Sequence, residues 1–269
     1  MLKGNLMKTY SNTIKTMFQL LKVDLFKFFR FTFIDDIINK TCFVVCTVLI
    51  ANYIWPHIGM AKTFGVFFAT GTIVSCIFWD CWGVSVQFVA DIEGNNVTQY
   101  YLSLPLLKQW FFLKQIIFYT IRSLMPALYI VLLIKIILWS SFDLSQIRII
   151  PFMVAMISSS FFGAALSIFM TSMVQNMKSI DNISIRFLFP IWFFGGSQFT
   201  WHTLLNIAPV IAYASLLNPL LYAMESMRVV FLGQTGYLPF WISISILWIF
   251  NIIIGIYGSY RLIKRLDCV

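Results

Sequence analysis

The chain has 269 residues, of which 60% are hydrophobic and 11% charged, with a formal net charge of +9. A soluble domain carries roughly 25% charged residues, and no soluble fold of this length hides so much apolar surface, so the solvent around it is lipid. The basic residues lie in the gaps between apolar runs, as membrane orientation demands. They do not form a basic face interleaved with exposed aromatics, so nucleic acid is not an expected partner.

Residues 1–40 read as a separate cytoplasmic element. They hold Lys3, Lys8, Lys15, Lys22, Lys27, Arg30 and Lys40. No apolar core followed by small residues marks a cleavable signal peptide, so this segment is expected to stay on the mature chain. Ile14, Met17, Phe18, Leu21, Leu25, Phe28 and Phe29 follow helical spacing, with most of the basic residues elsewhere. Leu20, Val23 and Phe26 intrude on the polar side. The pattern predicts an amphipathic helix lying in the inner membrane interface, its basic side chains toward anionic lipid.

Residues 41–269 read as a six-helix transmembrane domain. A crossing helix needs about 20 mostly apolar residues. Runs of that kind are expected over residues 42–57, 64–89, 111–138, 149–173, 183–199 and 238–260. The Lys/Arg bias puts both termini in the cytoplasm. The inner segments then carry the N-terminal arm, Lys108, Lys178, Arg261, Lys264 and Arg265, and the outer ones only Lys62, Arg148 and Arg228. The fold class is therefore all-α and polytopic.

The polar island at residues 91–109 falls between the second and third spans. Its middle predicts a short helix stopped by Pro105. Asp80 and Arg122 sit at similar depth inside those two spans. An intramembrane charge costs about 2.5–3.5 kcal/mol on insertion scales, and the two are expected to pair. In the fourth span Ala155, Ser159, Gly163 and Ser167 recur every four residues, a small-residue stripe for close helix packing. Pro190 and Gly195-Gly196 interrupt the fifth. The following residues 201–233 are too apolar for a soluble loop and contain Pro209, Asn218 and Pro219. They read as a re-entrant helical hairpin before the last span, with Glu225 and Arg228 as a local pair bracing it near the outer leaflet.

Catalytic motifs are lacking. The chain has no P-loop, no G-x-S-x-G elbow and no H-E-x-x-H. Cys42, Cys46, Cys76, Cys81 and Cys268 include no C-x-x-C and read as small buried hydrophobes. His57 and His202 are too far apart to suggest a metal site. His202 with Ser197 is the nearest thing to a hydrolytic pair.

Two local patterns carry a resemblance. Glu93-Gly94 is followed by Tyr101-Leu102-Ser103-Leu104-Pro105, and Asn218-Pro219-Leu220 by Tyr222, Glu225 and Arg228. With six spans and a basic N-terminal helix, the chain resembles the type-2 permeases of ABC transporters. Asn95 stands where many members place threonine, and the base that usually follows the proline is displaced to Lys108. The resemblance implies a non-catalytic permease of an ATP-driven exporter in a bacterial cytoplasmic (inner) membrane. Asp91, Glu93, Gly94, Leu102 and Pro105 would form its ATPase-coupling segment, and Asn218, Pro219, Tyr222, Glu225 and Arg228 the re-entrant signature. It implies separate ABC ATPase subunits carrying ATP and Mg, a second permease copy or paralogue, and surrounding membrane lipids. No cofactor or metal is expected on this chain. The substrate class favoured is hydrophobic, drug-like or a lipid-linked glycan. The rival readings are an intramembrane enzyme, acyl transferase or protease, and a passive channel.

Overall fold

Twelve α-helices account for most of the computed structural model. It describes residues 2–61, 63–95, 97–103, 108–139, 142 and 147–266, with the side chains of 2–12 and 95 left aside. The first helical run is α1 (Leu2–Lys27) and α2 (Phe33–Leu49), joined through a π-helical turn at Phe28–Thr32 and prolonged to Ile58. α3 (Thr63–Ala90) returns, and α4 (Val97–Ser103) is a short helix at that end. α5 (Lys108–Ile137) and α6 (Ile149–Met173) follow as an antiparallel pair. α7 (Met177–Ile183) and α8 (Phe189–Phe194) join through another π turn, Ser184–Leu188. Then come α9 (Trp201–Ile207), α10 (Pro209–Ser215), α11 (Pro219–Leu232) and α12 (Phe240–Leu266).

Five helical runs among the described residues are long and apolar enough to cross a membrane: Thr13–Ile58, Thr63–Gly94, Lys108–Ile137, Ile149–Met173 and Phe240–Leu266. The chain is thus an all-α, multi-pass integral membrane protein. The run Met177–Phe194, which overlaps the fifth crossing expected over residues 183–199, is roughly 27 Å long at 1.5 Å per residue. It is built of three short helical pieces and carries Lys178, Asp181 and Arg186 within 18 residues.

The helix runs continuously from Thr13 to Ile58, across the boundary expected at residue 40. A π turn absorbs one extra residue without breaking the helix, so the basic N-terminal helix and the first crossing are one rod. The rod is poorly buried. Phe26, Phe31, Ile34 and Ile38 all face outward, as a lipid-facing surface should.

α6 is the hub, packed against α3, α5, α11 and α12. The small-residue stripe explains why. Ala155, Ser159, Gly163 and Ser167 are all buried, and a Cβ at Gly163 would stand 2.9 Å from the Ile77 carbonyl of α3. On α12, a Cβ at Gly258 would meet the backbone of Phe169 at 2.8 Å. Glycine lets these backbones close to a distance that any side chain would forbid. Ser85 of α3 adds a hydrogen bond to the Ser167 carbonyl at 3.1 Å.

Cysteine placement departs from the buried reading. Cys76 and Cys81 are buried in α3, but Cys42 and Cys46 lie exposed on α2, on the lipid-facing side of a helix that packs weakly. Cys268 lies outside the described residues.

Candidate functional site

Three clusters gather the polar residues of this apolar bundle. The first is at the end of the bundle formed by α4. Asp91 caps α4: its carboxylate accepts from Val97 N at 3.1 Å, Thr98 N at 2.8 Å and Thr98 Oγ1 at 2.6 Å. These bonds satisfy amides that the first turn of a helix leaves without partners. Tyr101 and Leu102 pack half-buried against a core of Phe88, Phe111 and Phe112. Burial, followed by the nearby Asp24 and Asp91 carboxylates, pushes the Tyr101 phenol up. Val97 and Tyr100 stay exposed, at 43% and 64%. Glu93 reaches across to α7 and accepts from Met177 N at 3.1 Å. Arg265 of α12 donates to the carbonyls of Thr171, Val174 and Gln175 at the end of α6. Gly94 is exposed, with open space where a Cβ would stand. Pro105 lies outside the described residues.

The second cluster fills the opposite end. Asn218 caps α11, its Oδ1 accepting from Leu220 N at 3.0 Å while its Nδ2 donates to the Ile191 carbonyl of α8 at 2.7 Å. Pro219 follows at the first helical position, where its missing N–H removes no bond. Tyr222 donates to the Leu216 carbonyl at 2.8 Å.

Glu225 and Arg228 are both fully buried, yet no direct ion pair joins them. Glu225 accepts from Trp201 N at 3.1 Å through one oxygen and from Leu238 N at 3.0 Å through the other. Arg228 donates to the carbonyls of Phe199 at 3.1 Å and Ser197 at 3.0 Å, with its guanidinium 3.7 Å above the Phe67 ring. Each charge therefore ties down backbone that no helix satisfies. The acid holds the starts of α9 and α12, and the base holds the Gly196-to-Thr200 turn. The local pair expected from their three-residue spacing is replaced by two separate clamps around one irregular stretch.

Gly71 of α3 leaves room for the guanidinium, since a Cβ there would stand 3.1 Å from Arg228 Nη2. Gly196 has φ +78 and would meet Leu221 with any side chain, so the turn requires glycine. Ser197 Oγ has no partner and His202 is exposed against Trp201, so the two form no hydrolytic pair.

The third cluster lies within the bundle, between the first rod and α3 and α5. Asp80 accepts from Lys40 at 2.7 Å, and Arg122 donates to Asp36 at 3.4 Å and to Gln87 at 2.8 Å. Lower down, Asp24 pairs with the fully buried Lys114. The expected Asp80–Arg122 contact is thus replaced by two pairs, each with a partner from the first rod. In the sequence Asp24 and Asp36 drew no role, and Lys40 read only as one of the basic residues of an interfacial segment. The available signal was their spacing on a helix continuous with the first crossing.

No protein-family model matches the chain, and a search of curated proteins finds no match either. Among the described residues, no group of three or more His, Cys, Asp or Glu side chains is placed to hold a metal ion.

Proposed function

We propose that the chain is the membrane-spanning permease subunit of an ATP-driven ABC exporter, working with separate ATPase subunits and a second permease copy. The observation that carries this reading is the build of the α4 end. A short, capped helix sits between two spans, its inner face anchored by Tyr101 and Leu102 and its outer face offering Val97 and Tyr100. Glu93 links the same segment to α7. A partner pressing on α4 would move α3, α5 and α7 together, which is what coupling to an ATPase requires.

In this reading Met177–Phe194 is a sixth crossing, which returns both termini to the cytoplasmic side of a bacterial inner membrane. The helices α9 to α11 form a re-entrant element toward the outer leaflet, clamped by Glu225 and Arg228. Irregular backbone at that depth is tolerated only where protein or a cavity covers it, and the two buried charges supply such cover. ATP and Mg belong to the partner; this chain supplies the path. The cargo favoured is hydrophobic or lipid-linked. In a reconstituted complex, Glu93→Ala with Leu102→Ala should lower transport-linked ATP hydrolysis several-fold without changing membrane insertion. Wild-type coupling in that double variant would contradict the assignment of α4.

A further inference from the structure

The charged cleft along the first rod is more than a set of braces. Two cavities of about 450 and 430 Å³ open along it and share Gln87, Tyr119 and Arg122 in their walls. The lower reaches Asp91 and Thr98; the upper ends at Cys76 and Trp79. Along α3 that is a track roughly 22 Å long, at 1.5 Å per residue, with its charged groups set in a largely apolar wall. The upper chamber holds two carboxylates, Asp36 and Asp80, and two cations, Lys40 and Arg122. Its rim carries Phe43 and Trp82, exposed at 40% and 39% on the lipid-facing side.

Charge balance selects the ligand. An anion or a cation would leave one member of a pair without its partner in a low-dielectric setting, which is strongly unfavourable. A group carrying both signs can enter between the pairs, its ammonium toward Asp80 or Asp36 and its oxyanion toward Arg122 or Lys40, and no charge is stranded. Arg122 is the part most open to exchange, since its bond to Asp36 is long at 3.4 Å. The exposed rim aromatics give an attached apolar chain a way out into the bilayer. We infer that the upper chamber between α2, α3 and α5 binds a zwitterionic ammonium–phosphate headgroup, supplied by a membrane amphiphile whose chains leave past Phe43 and Trp82. Binding of this kind needs no ATPase partner and stands apart from transport.

Native mass spectrometry of the purified full chain tests it, titrating phosphatidylethanolamine, phosphatidylglycerol and diacylglycerol of identical chains. Phosphatidylethanolamine should be retained at least ten-fold more strongly than the other two. Arg122→Gln and Asp80→Asn should each lower that retention to the diacylglycerol level, while Arg148→Gln, at the far end of the bundle, leaves it unchanged. The three-lipid comparison on the unaltered protein holds even if a variant misfolds. Equal retention of all three lipids, or preference for phosphatidylglycerol, overturns the zwitterion site. Binding of soluble glycerophosphoethanolamine without the lipid overturns the membrane source.

Discussion

Glu225 and Arg228 make opposite kinds of bond to the same purpose. A carboxylate accepting two backbone N–H groups and a guanidinium donating to two carbonyls are charge-assisted bonds, each worth roughly 1.5–3 kcal/mol. Removing one partner also leaves buried backbone unsatisfied. Glu225→Ala and Arg228→Met should therefore each destabilise the protein by about 2–4 kcal/mol, measured by thermal unfolding in detergent. Exchanging the two, Glu225→Arg with Arg228→Glu, should not restore stability, because acceptor and donor would each face the wrong backbone groups. Rescue by the exchange would mean the two residues pair directly. In the cleft the opposite holds. Lys40→Asp with Asp80→Lys should recover part of the stability lost in either single change, whereas reversing Asp80 and Arg122 together should recover none.

The elements were legible to different depths. Apolar length marks six runs in the sequence where five helical runs of the structure are long and apolar enough to cross, and the four-residue stripe in α6 announces close packing that the structure places against α3. Asn218-Pro219, read in the sequence only as part of a re-entrant signature, begins α11 as a cap and a proline at the first helical position. Residue 40 reads as a boundary because Lys27, Arg30 and Lys40 close a basic segment, yet the helix runs on through it. Asp36 and Lys40 turn into the bundle toward Arg122 and Asp80, whereas Lys27, Arg30 and Asp35 stay exposed, Arg30 lying against the rings of Phe26 and Phe31. Which residue faces Asp80 was not legible either, because the partner lies 40 positions away and depends on how two helices are rotated about their axes. The closeness of α12 to α6 depends on Gly258. Gly258→Ala places a Cβ within 2.8 Å of the Phe169 backbone, and overpacking of this kind costs about 1–3 kcal/mol. The variant should unfold at a lower temperature than Gly83→Ala, whose Cβ enters open space.

For the molecule as a whole, the arrangement of ends follows from the helix order. The first rod and α12 meet the α4 end, and the loop from Gly233 to Pro239 lies at the other. In a background without the native cysteines, Cys at Gly236 should label with an impermeant maleimide from outside intact cells, and Cys at Val97 only after lysis. Labelling of both from one side would remove the sixth crossing. The two ends have different characters: clamped backbone at one, an exposed short helix tied to its neighbours at the other. That asymmetry suits a subunit driven from one side. Its most direct test is purification of the tagged chain from native membranes under mild detergent, followed by identification of what accompanies it. The account predicts a P-loop ATPase in stoichiometric amount, lost when Val97 and Tyr100 are both changed to Asp. A chain that purifies without any ATPase, and retains its function in that state, would contradict it.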